Sequence, residues 1–228
     1  MMGECMNMFR TGWAQNVPVS YKFKSKERGN VEHIEYETID YTNNRKIIKQ
    51  AEIYLPFGYD ENEKYNVFYL MHGWTGHAGD FFEYSNILNI LDNMILNNDI
   101  EPLIVVAATF DAENRGQGWS RSVEELEPFH LDFENALMPY VESHYSTYAR
   151  STSKEDLIAS RDHRAFGGFS LGAIVTCTCS SMIWNTLNII CRCPVMHGMF
   201  QHSEDYIILN KRFMKLKGLL GILMMIIS

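Results

Sequence analysis

The sequence predicts an α/β fold in which a mostly parallel central sheet is flanked by helices. Short apolar runs that are typical of buried strands alternate with segments whose apolar residues recur at helical spacing. The 228 residues suit a single domain, and 46% of them are apolar while 21% are charged, as in ordinary globular proteins. A chain of this size can bury the core that such a sheet needs.

Two strands and the turn between them open the predicted sheet. Residues 31–40 (VEHIEYETID) and 46–55 (KIIKQAEIYL) are rich in β-branched and aromatic residues, and Asn43-Asn44 favours a turn. Residues 65–71 (YNVFYLM) follow as a short, nearly continuous apolar run. That pattern is typical of a strand buried on both faces of a parallel sheet.

The chain then alternates between helices and strands as far as residue 170. The spacing predicts helices over residues 80–97 and 123–145, buried strands over 102–110 and 164–169, and polar loops over 111–122 and 151–160. This alternation of strand and helix indicates a doubly wound sheet.

The charge of the chain and its apolar segments exclude several partners. The net charge is −8 and the isoelectric point is near 5.5, and since a negative surface repels phosphate backbones we expect no nucleic-acid partner. The start, MMGECMNMFRTGW, has no apolar segment after its positive charge, which predicts no secretory signal peptide and a cytoplasmic location by default. The longest apolar run, residues 218–227, is too short to span a bilayer, so no membrane partner is expected.

The motif that carries chemistry is Gly168-Phe169-Ser170-Leu171-Gly172, a G-x-S-x-G pattern. In the α/β-hydrolase fold this pattern places a nucleophilic serine on a strained turn from a strand to a helix, between small neighbours that let the two elements approach. The Leu171 N–H then lies at the helix start, where it can stabilise an oxyanion. A plain turn with an incidental serine is the alternative, but the strand-like run before Ser170 and the helix-compatible run after it favour a nucleophile.

A second feature is His72-Gly73-Trp74, which directly follows a predicted buried strand. In this fold the loop after the equivalent strand donates the second backbone N–H of the oxyanion hole. We assign that donor to Trp74, with the position on either side as the alternative. The His72 side chain is interpreted as packed for structure, because the predicted role belongs to the backbone.

A third feature is the segment 111–119 (DAENRGQGW), at the carboxyl end of a predicted strand. Open α/β sheets place their ligand crevices at this edge. Asn114, Arg115 and Trp119 are therefore candidates for contacting an aromatic or sugar group of a substrate. An ordinary solvated connection is the alternative.

Three segments resemble a known family. IYLPFGYDENEKYNVFYLMHGWTGHAGDFF, YVESHYSTYA and SRDHRAFGGFSLGA are similar to the feruloyl esterases, carbohydrate esterases related to the esterase D-like hydrolases of the α/β-hydrolase superfamily, and the resemblance covers residues 17–176. It implies a serine esterase, often secreted and without a cofactor, that hydrolyses hydroxycinnamate esters of plant cell-wall xylan through an acyl-enzyme. It also implies an acid and a histidine downstream of the serine.

The resemblance ends after Thr176. The family continues with an aromatic-rich helix and a segment like MPMSGD, whereas this chain reads CTCSSMIWNTLNIICRCPVMHGM. The loss of one base would shift the reading frame, so each original codon would join the third base of one present codon to the first two bases of the next. At Met182-Ile183 this forces an aspartate codon, and one allowed reading from Cys177 onward is YLFFNDLEYFKYYMPMSGDAW. We therefore predict that residues 1–176 are the N-terminal part of one α/β-hydrolase domain, incomplete at its C-terminus. Residues 177–228 are predicted to be out of frame after the loss of one base.

The clustered cysteines do not have the usual spacing of a metal site. Zinc sites typically use C-x₂-C pairs, whereas this chain has Cys177-x-Cys179 and Cys191-x-Cys193. We expect no metal, and the predicted loss of one base accounts for the clustered cysteines.

No base or acid for Ser170 can be assigned from the sequence. The histidines after Ser170 are His197 and His202, and the acids are Glu204 and Asp205. They do not follow the order serine, acid, histidine that this fold uses. We expect an impaired and marginally stable esterase, and the alternative is a non-catalytic remnant that binds aromatic or carbohydrate ligands.

Overall fold

A mixed sheet forms the centre of the computed structural model, which describes residues 18–113, 118–183, 185–187, 189–192 and 207–208. Within these residues the strands are Asn30–Asp40 (β1), Arg45–Leu55 (β2), Asn66–Met71 (β3), Leu103–Ala108 (β4), Arg164–Gly168 (β5), Ile189–Arg192 (β6) and Ile207–Ile208 (β7). Their order across the sheet is β1-β2-β4-β3-β5-β6-β7.

The first two strands form the predicted hairpin. They pair antiparallel from Asn30 opposite Leu55 to Asp40 opposite Arg45. Asn44 lies in the turn with φ 52°, a left-handed conformation that asparagine tolerates better than most residues. Burial alternates along the second half of β1, because one face of the hairpin packs on the core and the other meets solvent.

The parallel centre of the sheet lies in β3, β4 and β5. Strand β3 pairs in parallel with β4 on one side and with β5 on the other. All six residues of β4 are buried, which explains why this strand is a continuous apolar run and not an alternating one. Strand β6 extends this parallel centre beside β5, whereas β1 with β2, β2 with β4 and β6 with β7 pair antiparallel, so the described sheet is mixed with parallel strands at its centre.

Helices cover both faces of the sheet. They are Asp80–Tyr84 (α1), Ile87–Leu96 (α2), Trp119–Leu126 (α3), Phe129–Asp132 (α4), Met138–His144 (α5), Lys154–Ala159 (α6) and Leu171–Met182 (α7), with a π-helical turn at Phe133–Leu137 and 3₁₀ turns at Val19–Lys22 and Arg161–His163. None of the described helices is long and apolar enough to cross a membrane.

Three predicted elements differ from the structure. The predicted helix 80–97 is broken at Ser85, whose extended backbone ends α1 and whose hydroxyl accepts the Ile87 N–H at the start of α2. The predicted helix 123–145 begins earlier, at Trp119, and is interrupted before Pro128, which has no N–H to continue a helix. The predicted polar loop 151–160 contains α6, whose first turn is capped by the Ser153 hydroxyl.

Aromatic side chains fill the core between the sheet and the helices after β4. Tyr69 of β3 meets Phe133 edge to face with 4.7 Å between ring centroids, and Phe133 meets Phe166 of β5 in the same way at 5.3 Å. Edge-to-face pairs add roughly 0.5–1.5 kcal/mol each beyond the area that they bury. On the opposite face, Phe68 and Val105 pack with Leu91 of α2.

A buried cation anchors the start of β5. The Arg164 side chain is 1% exposed, and its Nε lies 2.6 Å from Glu142 Oε1. Its guanidinium also donates to the carbonyl oxygens of Leu157 at 2.8 Å and Thr186 at 3.1 Å, and to the Ser160 hydroxyl. Arg164 therefore ties α5, α6 and the segment after α7 to one end of β5.

Candidate active site

Strand β5 ends in a sharp bend at Ser170. This residue has φ 55° and ψ −115°, a conformation that costs a residue with a side chain about 1–3 kcal/mol. The bend is closed by hydrogen bonds from the Phe169 N–H to the Met71 carbonyl oxygen at 3.0 Å and from the Gly172 N–H to the Phe169 carbonyl oxygen at 2.8 Å. Helix α7 begins at Leu171, directly after the half-buried Ser170.

The two glycines of the motif permit this bend. A Cβ on Gly168 would lie 2.4 Å from the Gly172 carbonyl oxygen. A Cβ on Gly172 would lie 2.3 Å from the carbonyl oxygen of Met71 at the end of β3. Both distances are shorter than real contacts allow, so a side chain at either position would push β3, β5 and α7 apart.

The loop after β3 lies against this bend. A Cβ built on Gly73 would be 3.2 Å from the Ser170 Cβ, so the Gly73 backbone sits beside the serine. The loop turns back through a hydrogen bond from the Gly76 N–H to the Gly73 carbonyl oxygen at 3.2 Å. Thr75 inside that turn has φ 64°, which is an outlier for a β-branched residue.

The His72 side chain is buried, as the sequence predicts, and both of its ring nitrogens have partners. Its Nδ1 lies 2.7 Å from the Gly73 carbonyl oxygen and its Nε2 lies 2.7 Å from the Thr109 hydroxyl. Burial lowers the pKa of His72 to about 4, because desolvation disfavours the charged ring. The imidazole is therefore neutral at neutral pH.

Exposed aromatic rings lie near the bend. Trp74 and Trp119 meet edge to face with 5.3 Å between ring centroids, and they are 46% and 42% exposed. Phe169, which precedes the serine, is 40% exposed. Trp119 is the first residue of α3 and not a loop residue, but it still faces the Trp74 ring. Asn114 and Arg115 lie outside the described residues.

Polar residues at the end of β4 were missed by the sequence prediction. The Thr109 hydroxyl contacts His72 and also accepts the Asp111 N–H at 3.1 Å. Asp111 is 1% exposed, and within the described chain its Oδ1 has no hydrogen-bond partner. Burial first, and then the nearby Glu125 carboxylate, raise the pKa of Asp111 to about 7. The signal available in the sequence was polar residues at the carboxyl end of an apolar strand.

Charged side chains near Asp111 pair with one another. Asp40 pairs with Arg121 at 3.2 Å, and Arg121 also pairs with Glu125 at 2.6 Å. Lys49 pairs with Asp132 at 2.7 Å, and both are almost fully buried. Burial alone would raise the pKa of Asp40, but hydrogen bonds from Thr42, Asn43 and Arg45 outweigh it and hold that pKa well below its usual range.

The described residues offer no metal centre. Among them, no group of three or more histidine, cysteine, aspartate and glutamate side chains is arranged to hold a metal ion. Cys179 is buried in α7. The side chains of Cys177, Cys191 and Cys193, like the late His197 and His202, lie outside the part of the chain that the structure describes.

A family model and two curated proteins match the chain. Residues 44–181, more than half of the chain, match the family described as "Putative esterase". Endo-1,4-beta-xylanase Y from Acetivibrio thermocellus is 45% identical over 129 residues, which are 56% of this chain and 11% of that protein. An endo-1,4-beta-xylanase/feruloyl esterase from Xylanibacter ruminicola is 26% identical over 158 residues, which are 67% of this chain and 20% of that protein.

Solved structures also match the chain. A serine-to-alanine mutant of the feruloyl esterase module from Clostridium thermocellum, complexed with sinapinate, has a TM-score of 0.66 and 37% identity, covering 76% of this chain and 56% of that one. A CE1 ferulic acid esterase from Anaeromyces mucronatus, in complex with ferulic acid, has a TM-score of 0.64 and 22% identity, covering 85% of this chain and 70% of that one. The predicted α/β-hydrolase fold is confirmed.

Proposed function

The chain belongs to the esterase family whose model it matches over residues 44–181, and from that membership we propose that it is a serine carboxylic ester hydrolase of the feruloyl-esterase type. Its substrate is a hydroxycinnamate ester of plant cell-wall xylan, free or linked to the polysaccharide, and it uses no cofactor. The similarity to xylanase-linked proteins and to structures that hold sinapinate or ferulic acid supports this choice of substrate.

The observation that carries the proposal is the strained bend at Ser170. The fold stores strain at this residue while the rest of β5 is regular, and such strain is typical of a functional position. In the proposed reaction the Ser170 oxygen attacks the ester carbonyl carbon and the sugar alcohol leaves. Water then attacks the acyl-enzyme, which releases the free hydroxycinnamate and restores the serine.

Two backbone donors complete the proposed site. Leu171 is the first residue of α7, so its N–H has no acceptor within the helix and lies at the positive end of the helix dipole. Trp74 follows Gly73, whose backbone sits beside the serine. We assign to Leu171 and Trp74 the two N–H groups that stabilise the tetrahedral oxyanion.

The two tryptophan rings are the proposed contacts for the aromatic part of the ester. Trp74 and Trp119 present partly exposed π faces at the edge of the loop that lies against Ser170. The planar ring of a hydroxycinnamate can stack on such an aromatic surface. Asn114 and Arg115, in the segment before α3, remain predicted substrate contacts.

The acid and the histidine of the triad are proposed to lie in the restored reading of the tail. Both ring nitrogens of His72 already have hydrogen-bond partners, so His72 cannot take the Ser170 proton. We propose that residues 177–228 are out of frame and that this chain is consequently an impaired copy. Losing the general base of a triad typically costs about 10⁴-fold or more in rate.

Hydrolysis of methyl ferulate and of a nitrophenyl ester tests the proposal. We expect slow turnover that Ser170→Ala abolishes and that Ser143→Ala, on the exposed surface of α5, leaves unchanged. The frame-restored protein should be faster by several orders of magnitude and should also depend on Ser170. Turnover that survives Ser170→Ala would contradict the assignment of the nucleophile.

A non-catalytic remnant is the second candidate, and the exposed tryptophan pair is the observation that favours it. Such a protein would bind ferulate through Trp74 and Trp119 but release no alcohol from the ester, whether or not the frame is restored. Calorimetric titration of ferulate into the Ser170→Ala and Trp119→Ala proteins measures binding, and hydrolysis of methyl ferulate by the frame-restored protein measures turnover. An unchanged affinity in Trp119→Ala would remove the support for the aromatic contact.

A further inference from the structure

The loop after β3 contains a side chain that controls its backbone, and we propose that His72 is a positioning residue that turns the Trp74 N–H toward Ser170. This inference rests on the proposed function, because the orientation of that N–H matters only if an oxyanion forms at the serine. It goes beyond the backbone assignment by naming what fixes the peptide between Gly73 and Trp74.

The carbonyl group of that peptide is held on one side. The Gly73 carbonyl oxygen accepts hydrogen bonds from His72 Nδ1 at 2.7 Å and from the Gly76 N–H at 3.2 Å. The described chain contains no cis peptide bond, and in a trans peptide the N–H points opposite to the C=O. Holding the Gly73 carbonyl toward His72 therefore directs the Trp74 N–H to the other side of the loop.

The partners of His72 determine its tautomer. A carbonyl oxygen can only accept, so Nδ1 must carry the proton that it donates to Gly73. In the neutral ring Nε2 then accepts, and the donor is the Thr109 hydroxyl at 2.7 Å. The Thr109 oxygen in turn accepts the Asp111 N–H at 3.1 Å. Each group therefore donates to the next, from the Asp111 N–H through the Thr109 hydroxyl and the His72 ring to the Gly73 carbonyl.

The ring also has no room to rotate. His72 is 2% exposed and lies 4.7 Å from the Phe110 ring, centroid to centroid. On its other side, a Cβ on Gly76 would lie 3.0 Å from His72 Nδ1, so glycine at that position leaves space for the imidazole. Because burial keeps the ring neutral, the hydrogen-bond directions stay the same across the neutral pH range.

The strain at Thr75 supports a positioning role. A threonine with φ 64° persists only where its surroundings fix the conformation. The bond from the Gly76 N–H to the Gly73 carbonyl closes the turn in which Thr75 lies, and the bond from His72 holds the same carbonyl in place. Without the His72 donor, we expect the turn to relax and the Trp74 N–H to move away from Ser170.

Three substitutions test this inference in the full chain. His72→Asn keeps an N–H donor near the position of Nδ1, whereas His72→Leu keeps apolar volume without any donor. We expect His72→Leu to lower kcat for a nitrophenyl ester by about 10²–10³-fold with KM nearly unchanged, as for loss of an oxyanion donor, and His72→Asn to recover most of that loss. Thr109→Val, which removes the donor to Nε2, should have a smaller effect of the same kind.

Measurements on folded protein distinguish positioning from stability. The unfolding midpoint of each variant is compared with its kcat, and equal kcat in folded His72→Leu and His72→Asn would overturn the inference. Nitrogen chemical shifts of the His72 ring give a readout that needs no turnover: we expect a proton on Nδ1, and a proton on Nε2 would overturn it. A wild-type chain with the expected tautomer but no turnover, even after frame restoration, would contradict the proposed function instead.

Discussion

The two ends of strand β5 differ: a buried charge at one end has all its hydrogen-bond partners, and the backbone at the other end is strained. At the beginning of the strand Arg164 is a fully buried charge whose donors all meet acceptors on α5, α6 and the segment after α7. At the end of the strand Ser170 is held in a backbone conformation that suits glycine, and its side chain is half-buried. Regular strand β5 has only five residues, of which Arg164 is the first, and Phe169 alone lies between the end of the strand and Ser170.

The contrast concerns how each end of β5 contributes to the free energy of unfolding. At the Arg164 end a buried charge has its partners, so that removing either one is costly, and at the Ser170 end the backbone retains strain. We therefore expect changes at the first end to destabilise the protein, and one change at the second end to stabilise it while removing activity.

Replacing Arg164 should have the largest effect on stability. Arg164→Met leaves the Glu142 carboxylate buried without its cation, and breaking a buried pair in this way costs about 3–5 kcal/mol. Urea unfolding monitored by circular dichroism measures the loss. Arg161→Met, at a partly exposed pair 3.7 Å long, is the matched control and should change the free energy of unfolding by about 0.5 kcal/mol or less. Equal losses in the two variants would remove the contrast.

A glycine of the bend should come second. Gly172→Ala places a Cβ 2.3 Å from the Met71 carbonyl oxygen, and we expect the forced separation of β3 and α7 to cost about 3 kcal/mol. Gly118→Ala is the control, because a Cβ there meets nothing within 4 Å. The unfolding midpoints of both variants are compared, and a Gly172→Ala protein as stable as the control would mean that the bend is loosely packed.

The buried carboxylates extend the comparison to pH. Glu142 has a cation beside it, whereas Asp111 at the edge of the site has an oxygen with no hydrogen-bond partner among the described residues, and its pKa is raised to about 7. The folded state therefore binds more protons than the unfolded state between about pH 4 and pH 7, so Asp111 lowers the free energy of unfolding as pH rises through that window. Asp111→Asn should remove this slope and gain on the order of 2 kcal/mol at pH 8, with no gain at pH 4.

Unfolding of wild type and Asp111→Asn at a series of pH values measures the slope. Glu124→Gln, on the exposed side of α3, serves as the control for removing one negative charge. A gain in Asp111→Asn that is the same at pH 4 and pH 8 would show that the Asp111 charge is not its source.

The smallest effect is the most informative about the bend. Ser170→Gly should raise the free energy of unfolding by about 1 kcal/mol, because glycine adopts φ 55° and ψ −115° without the clash of a Cβ. Ser170→Ala keeps the Cβ and is the matched control, so it should show no such gain although both variants lose turnover. A Ser170→Gly protein less stable than Ser170→Ala would contradict the idea that strain is retained there.

Much of the sheet could be predicted from the sequence because its signals are local. The apolar runs of β3 and β4, the hairpin of β1 and β2, and the glycines around Ser170 all lie within short segments. The resemblance to feruloyl esterases, carried by three such segments, is confirmed by the family model and the structural matches. The roles assigned to Ser170, Leu171 and Trp74 stay predictions.

Long-range arrangements escaped the sequence. The break of the first helix at Ser85 escaped for a different, local reason, since it involves a side-chain hydrogen bond to a residue two positions away that periodicity does not record. Thr109 gains its importance from a contact with His72, 37 positions earlier, and Lys49 meets Asp132 across 83 positions. Such pairs become neighbours only after the sheet has formed, so spacing along the chain carries no trace of them.

The edge-to-face contact of Trp74 and Trp119 gives the molecule an optical reporter beside its proposed site. The ring centroids are 5.3 Å apart, and indole emission depends on the mutual orientation of such rings and on the water around them, so we expect the emission to change if the proposed aromatic ligand packs against them. Tryptophan fluorescence should therefore report ligand binding at the proposed site without a label and without turnover.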